Sequence, residues 1–158
     1  MIISVTLLIL NLSVPGLLLD QYNKIAHKNV TALLGSGELE QIEVTSGREY
    51  YLFESIADAS GAIVVLSSAK GRYEHFDYMV ILKPNLEIID IKILKYRSEY
   101  GYEISNKGWL KNFYGKPGSR FEYGKDIDVV SGASFSANSL VNDINQIMDH
   151  LKSASTSH

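Results

Sequence analysis

The chain is 158 residues long, 46% hydrophobic and 21% charged, a balance that fits one globular domain and excludes a disordered or fibrous chain. Its 15 basic and 18 acidic residues leave a net charge of -3, which argues against a nucleic-acid partner held by phosphate neutralisation. Zero cysteines exclude disulfides, a thiolate nucleophile, c-type haem attachment and cysteine-ligated iron–sulfur clusters.

Residues 1–19 carry no charged side chain, and the first basic residue is Lys24. The apolar run over 1–10 is like the core of an export signal, without a positive n-region or a small-residue cleavage site. Asn11, Pro15 and Gly16 interrupt a stretch already short for a membrane-spanning helix of about 20 residues. The expectation is a signal peptide or membrane anchor over 1–19, with a buried first strand or helix as the other reading. Residues 20–152 read as one domain and 153–158 as a solvated tail.

The spacing predicts a helix over 21–34, with Ile25, Val30, Leu33 and Leu34 inward and Gly35 as its C-cap. Extended segments follow at 38–45, 50–56, 62–68, 73–83 and 86–96, rich in β-branched and aromatic residues. Lys83, Pro84 and Asn85 form a turn that makes the last two a hairpin, and the isoleucines at 88, 89, 91 and 93 predict a largely buried strand. A short helix over 105–113 carries Trp109, Leu110 and Phe113 inward. A final helix from Ser134 or Ser136 to Lys152 buries Leu140, Val141, Ile144, Ile147, Met148 and Leu151. Its other positions, including Asp143 and Asn145, read as a polar face with little basic charge, unlike a membrane-surface helix. The fold class is α+β: a twisted, mainly antiparallel sheet with an N-terminal and a C-terminal helix packed on it.

Several patterns stop short of a site. Gly35-Ser36-Gly37 lacks the third glycine and following helix of a dinucleotide loop. Ser67 and Lys70 have serine–lysine spacing, but in an extended segment. His27, His75, His150 and His158 lack metal-ligand spacing, so no metal site is expected. The stretch from Asp128 to Ser139 is different. Ser131, Ser134 and Ser136 alternate with Gly132 and Ala133 where an apolar segment passes into a helix. Small residues let a ligand approach the backbone, and a helix start offers free N–H groups to a phosphate. Plain N-capping by Ser134 or Ser136 accounts for the same residues.

This stretch resembles the flavinylation motif of the FMN-binding domain family, D-x-x-[ST]-G-A-[ST]-x-[ST]; Asp128, Ser131, Gly132, Ala133, Ser134 and Ser136 match every defined position. The family includes the G subunit of Rnf-type oxidoreductases and the C subunit of sodium-translocating NADH:quinone oxidoreductases. Residues 98–104 resemble the family's E-T-x-G-x-G segment, with Gly101 at its first glycine and Glu103 replacing the second. Trp109, Phe113, Gly115 and Lys116 are similar to the short helix and turn between the two motifs.

The resemblance implies a protein that carries FMN as cofactor, placed on Ser136 through a phosphoester by a flavin transferase that uses FAD. It implies that Ser131, Gly132, Ala133, Ser134, Phe135, Tyr100 and Gly101 surround the cofactor. Asp128 is expected to serve recognition by the transferase or to fix the loop. Tyr102, Trp109 and Phe113 are further candidates for the ring wall, and Lys116 and Lys125 for offsetting the phosphate. With no general acid or base evident, the expectation is an extracytoplasmic electron carrier served by a membrane or exported redox partner. The alternatives are a small flavin reductase with non-covalent FMN and a secreted, non-redox binding module.

Overall fold

Each run of alternating or β-branched residues ends at a connection too short for a parallel crossover, so consecutive strands must fold back on one another. In the computed structural model, which describes residues 17–156, the order is α1 (Leu17–Leu34), β1 (Gly37–Thr45), β2 (Arg48–Ser55), β3 (Gly61–Lys70), β4 (His75–Leu82) and β5 (Ile88–Tyr96). All neighbouring pairs are antiparallel, and strand order equals chain order. A 3₁₀ turn (Tyr102–Ser105), α2 (Lys107–Leu110) and a second 3₁₀ turn (Lys111–Phe113) lead through a loop to α3 (Ser134–Thr156). This is the expected α+β architecture. Of the expected leader, residues 1–16 lie outside the described residues and 17–19 form the first turn of α1. Among the described residues no helix is long and apolar enough to cross a membrane.

Both faces of the sheet are covered. Alternation along β4 sends Phe76, Tyr78, Val80 and Leu82 into one core with α3, and Met79 and Ile81 into another with α1. On the first side α3 buries Leu140, Val141, Ile144, Ile147 and Met148, as their spacing predicts. On the second, α1 buries Tyr22, Ala26 and Val30, one residue per turn. Ile25 and Leu33, predicted inward, are 40% and 49% exposed. The contact stripe is narrow, with Tyr22, Ala26 and Val30 at i, i+4 and i+8. Gly35 caps α1 as predicted, with φ +82° and its N–H donating to Thr31 O at 2.9 Å.

Two other expectations change. β5 is an edge strand in which Ile88 and Ile91 are buried while Ile89 and Ile93 are half-buried; the strand buried on both faces is β4, which lies inside the sheet. α3 continues past Lys152 to Thr156, so part of the expected tail is helical.

Three inward carboxylates tie the helices to the sheet. Glu49 on β2 accepts the N–H groups of Leu18 and Leu19 at 2.6 and 3.0 Å, satisfying two free amides at the start of α1. Asp77 on β4 accepts the Tyr22 hydroxyl at 2.5 Å and the Arg97 guanidinium at 2.6 Å. Burial pushes the Asp77 carboxyl up, but the bonds from Arg97 and Tyr22 outweigh it and hold it below the usual range. Burial, with Asp77 beside it, raises the Tyr22 phenol to about 12.

Asp143 on α3 accepts Arg48 Nε at 3.1 Å, Arg48 Nη2 at 2.5 Å, the Ser67 hydroxyl at 2.6 Å and the Tyr78 hydroxyl. Asn145 clamps the N–H and C=O of Phe121, both at 2.8 Å. Hydropathy assigns Asp143 and Asn145 to a solvated face. The structure turns both inward, because partners on the sheet and loop satisfy them.

Asp143→Ala leaves the Arg48 side chain, 11% exposed, without its carboxylate. Urea unfolding followed by circular dichroism is expected to show a loss of about 3–5 kcal/mol, since the buried Ser67 and Tyr78 hydroxyls lose their acceptor as well.

Candidate functional site

The turn before α3 is set by its backbone. Gly132 takes φ +80°, a conformation that favours glycine, and the Ala133 N–H closes on Val130 O at 3.3 Å. The buried Trp109 indole donates to Asp128 O at 2.8 Å, and the Tyr123 hydroxyl accepts the Val130 N–H at 2.9 Å. The loop is therefore held from the core side. Asp128 is anchored through its carbonyl, and its side chain is exposed.

A cleft of about 260 Å³ opens where the loop enters α3, lined by Arg72, Tyr100, Gly101, Gly132, Ala133, Ser134, Phe135 and Ser136. Seven of these eight were singled out from sequence; Arg72 was not. Ser136 is the floor, only 1% exposed. It is the third residue of α3, one turn before Leu140, so it shares the helix's core-facing side. Its Oγ lies 2.7 Å from the Tyr96 hydroxyl, and Tyr96 donates to Tyr100 O at 2.7 Å. The N-capping alternative does not describe Ser136.

Gly101 keeps the space beside that hydroxyl, and Gly71 passes close to it. A Cβ at Gly101, where φ is +90°, would lie 2.8 Å from Ser136 Oγ and 2.4 Å from the Tyr96 hydroxyl. A Cβ at Gly71 would lie 3.6 Å from Ser136 Oγ and 2.4 Å from Glu74 O. The rim is aromatic. Tyr100 and Phe135 are 64% and 50% exposed, and the Tyr73 ring packs tilted against Tyr100 with centroids 5.5 Å apart. The Arg72 guanidinium sits 5.5 Å from the Tyr73 ring centre.

Other expected residues lie elsewhere. Trp109 and Phe113 are buried edge-to-face against each other at 5.7 Å, so they are core and not cleft wall. Tyr102 is exposed and packs its ring edge-on against Tyr96, 5.9 Å away. Lys116 donates to Asn112 O at 3.0 Å, and Lys125 lies 3.7 Å from Glu122; the cleft's lining cation is Arg72. Ser131 is exposed in the turn, and exposed Ser134 accepts from the Tyr123 hydroxyl at 3.4 Å. Glu103 reaches the loop, its Oε1 3.4 Å from where a Gly132 Cβ would stand. Ser67 is committed to Asp143, which leaves no serine–lysine pair. Among the described residues no group of acidic or histidine side chains is arranged to hold a metal ion.

Residues 71–149, half of the chain, match the family described as FMN-binding domain. The matched span begins at Gly71 and Arg72 and contains every cleft residue. No curated protein matches the chain.

The cleft fits such a cofactor. Arg72 and the free amides of the first turn of α3 offer a seat for a phosphate. Gly101 leaves a cradle beside Ser136 that one added carbon would fill. Tyr100 and Phe135 offer exposed aromatic surface to a flat ring.

Gly101→Ala and Gly47→Ala both place alanine at positive φ, but a Cβ at Gly47 meets nothing within 4 Å. Gly47→Ala is expected to lose about 1 kcal/mol in urea unfolding, and Gly101→Ala more, because its Cβ must also displace the Tyr96 hydroxyl. Only Gly101→Ala is expected to lose FMN, read as the flavin absorbance of the purified protein.

Proposed function

This chain belongs to the FMN-binding domain family and binds FMN, and from that premise we propose that it carries the cofactor as a phosphoester on Ser136 and works as an extracytoplasmic electron carrier. The observation that carries this reading is the position of Ser136. The last hydroxyl of the matched motif is the one that lines the cleft floor, between Tyr96 and Gly101, which leaves room for a substituent.

FMN supplies one- and two-electron redox chemistry when bound; the chain supplies position and charge. Arg72 offsets the negative phosphate, assisted by the positive end of α3. Tyr100 and Phe135 would hold the isoalloxazine with their exposed rings. The exposed carboxylate of Asp128 is a handle for the flavin transferase that matures the protein. A bond to Ser136 holds the cofactor at a fixed effective concentration, whatever the free supply outside the cytoplasm. The uncharged apolar stretch over 1–19 supports export or anchoring, and with it a membrane-bound or exported redox partner.

One observation favours a second reading, a small flavin reductase holding FMN without a bond. Ser136 is 1% exposed and already hydrogen-bonded, whereas Ser134 is open to solvent. Co-expression with a flavin transferase, followed by a denaturing gel under ultraviolet light, separates the two. The covalent reading predicts a fluorescent band that Ser136→Ala abolishes and Ser134→Ala keeps. A yellow protein that gives no fluorescent band belongs to the second reading.

A further inference from the structure

A phenol has one hydrogen to give. Tyr96 gives it to Tyr100 O at 2.7 Å, so at its second contact, 2.7 Å from Ser136 Oγ, it accepts and Ser136 is the donor. The seryl hydrogen is therefore fixed in one direction, and the lone pairs of Oγ point away from Tyr96. Ser134 is held differently. The Tyr123 hydroxyl accepts the Val130 N–H and donates, at 3.4 Å, to Ser134 Oγ, so one of that oxygen's two lone pairs is engaged. Of Ser134 and Ser136, Ser136 is thus the one with its hydrogen directed and both lone pairs open.

We propose that Tyr96 is the positioning residue that selects and aims Ser136 for flavin attachment. The inference rests on the covalent reading above. In the step concerned, Ser136 Oγ bonds to the FMN phosphorus and the pyrophosphate bond of FAD breaks. AMP leaves with the bonding electrons; as Oγ bonds to phosphorus, its hydrogen leaves the Tyr96 contact and passes to a base of the transferase. The ester oxygen then has no hydrogen, and Tyr96 can turn its own hydrogen from Tyr100 O to that oxygen. One phenol serves as acceptor before the reaction and donor after it. Its ring is fixed for this between Phe76, near-parallel at 5.5 Å, and Tyr102, edge-on at 5.9 Å.

The test uses the full chain, purified transferase and FAD, with initial rates of FMN addition read by intact mass over a range of chain concentrations. Tyr96→Phe keeps the ring contacts and removes only the oxygen. The expected result is a kcat about five- to tenfold lower, with KM for the chain unchanged, the signature of lost aim in the reacting complex. A kcat equal to wild type overturns the inference, as does a raised KM with unchanged kcat, which makes Tyr96 part of the docking surface. A wild-type chain that takes up no FMN overturns the covalent reading along with it. A wild-type chain that is modified beside an unaffected variant overturns this inference alone.

Discussion

The seating of α3 on the sheet is the constraint from which the rest follows. Asp143 fixes it, accepting bonds from Arg48 on β2, Ser67 on β3 and Tyr78 on β4, so one helical carboxylate reads the positions of three strands. Ser136 stands seven residues earlier, about two turns and 10 Å along the same side of the helix. A slip of one residue would rotate that side by about 100° and carry Ser136 away from Tyr96. The hydroxyl at the cleft floor is therefore placed by an ionic network distant from it in space.

The strand topology supplies the other half of the site. In an antiparallel meander every second strand runs the same way, so the C-terminal ends of β3 and β5 emerge at one end of the sheet. Gly71 and Arg72 follow β3 directly, and Tyr96 closes β5. The pairing of Phe76 with Tyr96 places Tyr96 on the face that α3 covers. Three separate stretches, at 71–72, 96–101 and 132–136, thus meet around one small volume.

Much of this was legible in the residues. The 3–4 spacing of Leu140 through Met148, the C-cap at Gly35 and the run of short turns gave the helices and the meander. The motif from Asp128 to Ser136, with Tyr100 and Gly101, named most of the cleft lining. Arg72 and Tyr96 were not legible, since nothing in local spacing announces a partner dozens of residues away. Aromatic type also fails to separate wall from core: Trp109 and Phe113 went inward, while Phe135 stayed on the rim. Asp143 and Asn145 misled for the opposite reason. Polarity predicts solvent only where no partner waits inside, and here Arg48 and the Phe121 backbone were waiting.

The most direct measurement is peptide mapping by mass spectrometry of the protein purified from its own cells. The account predicts that the peptide bearing the start of α3 carries the mass of FMN less water, fragmenting to place it on Ser136. That peptide found unmodified at full occupancy, or bearing the adduct on Ser134, would contradict it.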